Sequence, residues 1–305
     1  MGLRFLKKAA AAIYSCAYKA HHAIFLRPGK RLENARLVVV GSFLAGGAGK
    51  TPFCIWLAHF LKNEFVQNHG HEPSIAILCH SVAYDEVELL QKKAPFAKVL
   101  ATANRYKTAQ ALDRDFDYII CDDGFEDSRL TGAAVIRLDW GDAPTTVDRL
   151  VPAGNCRSLL QWHRGPGAVL NSVTVLKCGQ ISNGDDVEFC ISSVANAKGD
   201  TLPKSDSPSS AQQEITAMCG IGNPTRFAND LANFGIAISQ TIRRPDHDTK
   251  FAQHLSKALA ANQPIVITEK DAARLPRALL QNPHLYTAHL ETRVTEQVCQ
   301  ATANL

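Results

Sequence analysis

The sequence predicts an α/β protein: a doubly wound, mostly parallel sheet, a smaller C-terminal α/β part, and an amphipathic helix at the N-terminus. Three observations carry this reading. Apolar runs of strand length alternate with helix-like stretches. The runs are continuous rather than alternating in polarity, as expected of strands covered on both faces. The first run ends in a glycine-rich turn, GSFLAGGAGKTP at residues 41–52, that opens directly into a helix pattern. Glycines at such a strand-to-helix turn let backbone N–H groups approach a polyphosphate, so the sheet is of the P-loop NTPase-like kind.

Taken in order, residues 37–40 (LVVV) make the first strand, and residues 51 to about 65 the helix behind the loop. Strands follow at 75–78, 99–101, 118–121 and 135–138, separated by helices at 85 to about 93 and 105–112. Residues 169–176 supply one or two further strands. The segment 195–213 turns polar, rich in Ser, Asp and Pro, and reads as a linker. The pattern then restarts with a strand at 215–219, helices at 225–234 and 251–260, and a strand at 265–268. The organisation expected is residues 1–31 as a basic amphipathic helix, 32–160 as the phosphate-loop core and 161–305 as the C-terminal α/β part.

Composition narrows the classes. At 305 residues with 46% apolar and 20% charged residues, the chain has the balance of a soluble globular protein. A net charge of +4 with no basic stripe bearing aromatics argues against nucleic acid as a partner. The nine cysteines form no Cys-x-x-Cys pair, and several sit inside apolar runs, as buried reduced thiols do.

The N-terminal 31 residues differ. Arg4, Lys7, Lys8, Lys19, Arg27, Lys30 and Arg31 are interleaved with Phe5, Leu6, Ile13, Tyr14, Ile24 and Phe25. The longest uncharged run, residues 9–18, is far short of the roughly 20 residues that span a bilayer. Two readings stay open: an amphipathic helix on an anionic membrane surface, with those six apolar residues as its face, or a basic helix packed on its own domain.

Three groups carry the chemistry. In the loop, Gly46, Gly47, Ala48, Gly49, Lys50, Thr51 and Pro52 are placed to bind a nucleoside triphosphate, Lys50 reaching the terminal phosphates and Thr51 ligating Mg2+. Asp122 and Asp123 end the apolar strand 118–121, where a second Mg2+-handling aspartate belongs. Asp85, Glu86, the 245–248 run Pro-Asp-His-Asp and the 268–271 run Thr-Glu-Lys-Asp are polar turns; each is also readable as an ordinary cap or solvated turn.

The order of these motifs is more specific than any one of them. The loop at 46–52, Asp85-Glu86, Asn104-Arg105, then Asp122 to Phe125 with Arg129-Leu130, come first. Arg149 to Gly154 with Arg157, Gly220 to Pro224 with Arg226-Phe227, Pro245 to His247, and Thr268 to Ala272 follow. Together they resemble the tetraacyldisaccharide 4'-kinases, the lipid A 4'-kinases, from the basic helix to about Leu275. The resemblance implies transfer of the γ-phosphate of ATP, with Mg2+, to the 4'-hydroxyl of a tetraacyldisaccharide 1-phosphate at the cytoplasmic face of the bacterial inner membrane. It further implies that Lys50, Asp85 and His247 are catalytic, Asp85 accepting the hydroxyl proton and His247 orienting it, and that Thr51, Asp122 and Asp123 serve the metal. The partners implied are the lipid A disaccharide precursor and an anionic membrane surface, with no obligate protein partner. The segment before Asp85 is shorter than in the family, and Ser42 and Leu44 stand where the family tends to have Asn and Thr. A membrane-associated ATPase switch, or a nucleotide-binding relative without catalysis, would share the same loop.

Overall fold

The computed structural model describes residues 2–25, 28–81, 84–141, 143–163, 173–203, 214–246 and 248–304, without the side chains of residues 2 and 3. By its internal contacts the chain forms two compact units, one of residues 1–83, 90–188 and 294–305, the other of residues 84–89 and 189–293.

In the first unit, α1 (Gly2–Phe25) precedes β1 (Arg36–Gly41), α2 (Lys50–His69) and β2 (Ile75–His80). After α3 (Tyr84–Lys93), whose first six residues cluster with the second unit, come β3 (Lys98–Thr102), α4 (Arg105–Leu112), β4 (Tyr118–Asp122), β5 (Ala134–Asp139) and β6 (Val173–Lys177). These six strands form a parallel sheet in the order β3-β2-β4-β1-β5-β6. The connection from β1 runs toward β2, whereas that from β4 crosses β1 to reach β5. Connections leaving in opposite directions open a crevice at the carboxyl edge, and there Val40 lies level with Asp122.

The continuous apolar runs have a simple cause: both faces are covered. Leu37, Val39, Leu78, Ile119, Cys121 and Val135 share a buried cluster with Ala11 of α1, Ala109 of α4, Phe125 and Leu159. On β1 and β4 also packs α2, which buries Phe53, Cys54, Leu57, Ala58 and Leu61. All nine cysteines are free thiols.

Of the two readings of the N-terminal segment, a basic helix packed on its own domain describes one side of α1. Ala11, Tyr14, Ser15, Tyr18 and His22 recur at helical spacing and face the unit: Tyr18 stacks on Trp162 with ring centroids 4.7 Å apart, and the Tyr14 hydroxyl donates to the Arg157 carbonyl at 2.8 Å. Leu6, Ile13 and Ile24 share the opposite side and are exposed, Ile13 by 71%. Tyr14 therefore leaves the expected membrane face; a buried phenol needs the partner it finds in Arg157. No helix among the described residues is long and apolar enough to cross a membrane.

The second unit holds β7 (Val187–Ala195), β8 (Thr216–Cys219), α5 (Pro224–Asn233), β9 (Gln240–Arg243), α6 (Phe251–Leu259), β10 (Ile265–Thr268), α7 (Glu269–Ala273), α8 (Arg277–Leu280) and β11 (Leu285–Val294). The chain then returns to the first unit as α9 (Glu296–Ala303). The sheet order is β7-β11-β10-β8-β9, with β9, β8, β10 and β11 parallel. Phe227 and Leu231 of α5 pack on one face against Ala217, Cys219, Val266 and Ala288, and Phe251, Leu255 and Leu259 of α6 pack on the other against Met218, Ile265 and Ile267.

The division departs from the expected 32–160 and 161–305 in two ways. Strand β6 pairs with β5, which extends the first unit to residue 188, and residues 84–89 join the second unit. Of the strand expected at 169–176, residues 169–172 lie outside the described residues, as do residues 204–213 of the expected linker.

Candidate active site

The loop after β1 takes its shape from two left-handed glycines, Gly47 at φ 69° and Gly49 at φ 81°. A side chain in that conformation costs roughly 1–2 kcal/mol. Gly49 leads into α2, which no side chain caps, whereas Asn104, Asn223 and Thr268 cap α4, α5 and α7. Pro52 sits in the first turn, where a missing N–H breaks no helical bond. The loop is pinned from behind by the segment 155–157 and by Trp140. Ala45 N–H donates to the Asn155 carbonyl at 2.8 Å, Arg157 N–H to the Phe43 carbonyl at 2.9 Å, the Arg157 guanidinium to the Ala45 carbonyl at 2.7 Å, and the Trp140 indole to the Ala48 carbonyl at 2.9 Å.

The two aspartates at the end of β4 have different partners. Asp122, buried, accepts a hydrogen bond from the Thr51 hydroxyl at 2.7 Å. Asp123, in the left-handed region at φ 62°, turns to the other side: the Lys50 ammonium lies 3.5 Å from its carboxylate, and the Arg157 guanidinium donates to it directly. Burial works to raise the Asp123 carboxyl, but Lys50 and Arg157 outweigh it and hold it below the usual carboxylate range.

Thr51 and Asp122 fit Mg2+. They are hard oxygen donors at the start of a helix and the end of a strand, and this ion is ordinarily held by one or two carboxylates together with phosphates and water. No group of three or more His, Cys, Asp or Glu side chains suited to a metal occurs among the described residues.

Behind Asp123, the Ser158 hydroxyl donates to the half-buried Glu126 carboxylate at 2.5 Å, and the His22 ring lies 3.2 Å from the Glu126 carbonyl. Burial pushes the Glu126 carboxyl up, with the Ser158 hydroxyl working against it. The inner face of α1 is thus tied to the segment that carries Arg157.

A second cluster lies within the second unit. Lys270, at the start of α7, places its ammonium 3.6 Å from Asp85, 3.2 Å from Glu86 and 3.4 Å from Asp246. Burial works against its charge, but Glu86, Asp246 and Asp85 overcome it and raise the lysine above its ordinary range. The turn beneath it is fixed: Asp271 N–H donates to the Thr268 hydroxyl, which donates back to the Asp271 carboxylate at 2.8 Å, and Gly220 N–H and Arg274 donate to the same carboxylate. His247 lies outside the described residues.

The structure therefore gathers Lys50, Thr51, Asp122 and Asp123 at one sheet edge and sets Asp85 in a separate ionic cluster. Sequence reasoning assigned no role to Arg157 or Trp140, and placed Lys270 and Asp246 in two of the candidate polar turns without pairing either with Asp85. The clue for Lys270 was its place after an apolar strand; its partners Asp85 and Glu86 lie some 184 residues away in sequence.

A tetraacyldisaccharide 4'-kinase from Shewanella piezotolerans is 27% identical over 305 residues, covering 91% of this chain and 88% of its own. One from Shewanella frigidimarina is 30% identical over 256 residues, covering 78% and 72%. A solved "apo" form of LpxK from Aquifex aeolicus, in complex with ATP, superposes with a TM-score of 0.59 at 18% identity over 97% of this chain and 98% of that one, a likeness of fold. The family model for tetraacyldisaccharide-1-P 4'-kinase matches residues 3–304, a span holding every residue of both clusters. The chain belongs to the tetraacyldisaccharide-1-P 4'-kinase family.

Proposed function

We infer that this protein is an ATP-dependent lipid kinase that phosphorylates the 4'-hydroxyl of a tetraacyldisaccharide 1-phosphate, giving the 4'-phosphorylated lipid A precursor. What carries the reading is the uncapped, glycine-shaped loop with Lys50, Thr51, Asp122 and Asp123 converging on it, in a chain matching that family over residues 3–304.

Phosphoryl transfer asks a protein for positioning and charge neutralisation rather than covalent chemistry. The backbone of Gly46, Gly47, Ala48 and Gly49 and the start of α2 cradle the phosphates, with Pro52 fixing the first helical turn. Lys50 neutralises charge on the transferring group, while Asp123, itself clamped by Arg157, keeps the Lys50 ammonium in place. Thr51 and Asp122 would hold Mg2+, which when bound would offset the negative charge of the phosphates. In this division Asp122 serves the metal and Asp123 serves the lysine. Asp85 accepts the proton of the sugar hydroxyl, and His247 orients it.

The acceptor is a lipid, and the exposed side of α1 suits a bilayer surface: Leu6, Ile13 and Ile24 enter the headgroup region, and a basic residue of the helix that comes near anionic lipid adds about 1 kcal/mol. On this reading the enzyme works peripherally at the cytoplasmic face of the inner membrane.

With ATP, Mg2+ and vesicles of anionic phospholipid carrying the acceptor, ATP consumption should track added acceptor, and mass spectrometry should find one phosphate added at the 4' position. Hydrolysis that proceeds equally without acceptor would identify a nucleotide switch instead. On acceptor-free anionic vesicles, the triple variant Leu6→Ser, Ile13→Ser, Ile24→Ser should sediment far less than the unaltered protein, and high salt should release part of the latter. Equal sedimentation of the two would move the membrane contact away from α1.

A further inference from the structure

We propose that Trp140, which lies outside the loop motif, is a positioning residue for the nucleotide: by holding the Ala48 carbonyl it fixes the direction in which the Gly49 N–H faces the phosphates. The proposal rests on the reading of residues 46–52 as a triphosphate site. In a trans peptide the C=O and N–H point in opposite directions, and the Ala48–Gly49 bond is trans. The indole N–H of Trp140 donates to the Ala48 carbonyl at 2.9 Å, so the Gly49 N–H of the same plane is turned away from Trp140, toward the side the loop offers a ligand.

This plane has particular need of holding. Ala48 itself is almost fully buried, but it stands between two left-handed glycines, Gly47 at φ 69° and Gly49 at φ 81°. Glycine takes either sign of φ readily, so the plane between Ala48 and Gly49 can turn over through compensating changes on its two sides. Turned over, it would present a carbonyl oxygen to the phosphates in place of an N–H donor. The glycines that let the backbone approach an anion thus leave its direction open, and the indole closes that freedom. Arg157 holds the plane before Gly46 in the same way, its guanidinium donating to the Ala45 carbonyl at 2.7 Å. Trp140 is itself carried rigidly. It follows β5 directly, and the Asp139 carbonyl beside it accepts from Cys178 N–H at 2.7 Å.

The readout is the affinity of the full chain for ATP with Mg2+, without acceptor, by titration calorimetry; folding is checked by thermal unfolding. Trp140→Phe keeps an apolar ring but no donor, and should weaken ATP binding by about threefold to tenfold, the effect of one neutral hydrogen bond. Trp140→His should bind ATP much as the unaltered protein does, because imidazole overlays the five-membered ring of indole and its Nε2 can take the place of the indole nitrogen. Bulk alone predicts the reverse order. If Trp140→Phe does not fold, replacing Trp140 by benzothienylalanine, which keeps the shape and puts sulfur where the N–H was, carries the test with the same expected loss. In steady-state phosphorylation of the tetraacyldisaccharide the loss should fall on KM for ATP and leave KM for the lipid unmoved. Equal ATP affinity with and without the donor, a Trp140→His variant as weak as Trp140→Phe, or a parallel rise in both KM values overturns the proposal. An unaltered protein that binds no ATP would remove the triphosphate reading of the loop, and this proposal with it.

Discussion

Lys50→Ala should lower turnover by at least about a hundredfold to a thousandfold, the range found when one preorganised group facing developing charge is removed. The fold should survive. Lys50 is the first residue of α2, its main chain stays helical with Ala, and Asp123 keeps its bond to Arg157. The loss should appear in single-turnover phosphorylation and not only in KM for ATP, because charge on the transferring group grows toward the transition state. Asp122→Ala provides the contrast. It leaves the lysine in place and should act through the Mg2+ titration, moving its midpoint upward, since Thr51 would then lack its carboxylate partner. Near-normal turnover in a folded Lys50→Ala variant would remove the phosphate-loop assignment. An unchanged Mg2+ curve in Asp122→Ala would remove Asp122 from the metal.

The parts of this site readable from sequence are those written locally. A buried strand, a glycine-rich turn and a helix start follow one another within residues 36–52, so the loop and the place of Lys50 and Thr51 at the helix start are legible from sequence alone. The same holds for Asp122 and Asp123 behind an apolar strand. The distinction between them is not, because it depends on which way each carboxylate turns. Asp123 adopts φ 62° and meets Arg157, 34 residues on. Likewise the amphipathic character of α1 is plain, whereas the inward turn of Tyr14 depends on a carbonyl 143 residues away.

Elements missed in the sequence share a cause. Strand β7 lies at a sheet edge and alternates buried Val187, Phe189 and Ile191 with more exposed neighbours, and β11 carries His289, Glu291 and Arg293 among its apolar residues. A search for continuous apolar runs passes over both. The two compact units differ from the expected division for a related reason: β6 joins the first sheet through pairing with β5, and no local feature of residues 150–165 announces that pairing.

Asp85→Ala should reduce turnover by about a hundredfold to ten-thousandfold, the usual worth of a positioned proton acceptor. Asp85 is almost fully buried in the first turn of α3, where a carboxylate also complements the helix dipole, so a purely structural role is the competing account. The two accounts differ in what they predict. A structural aspartate lost from a helix start lowers thermal stability, and Asp85→Asn, which keeps the shape, restores most of the function. A proton acceptor is not restored by Asn, and its loss falls on kcat while KM for ATP and lipid stays near its original value. If His247 orients Asp85, the double variant Asp85→Ala, His247→Ala should be little worse than the poorer single, because groups acting as one unit are not additive. A loss under about threefold in folded Asp85→Ala would fall outside the range for general-base catalysis and would shift the role to Glu86, which shares the same lysine at 3.2 Å.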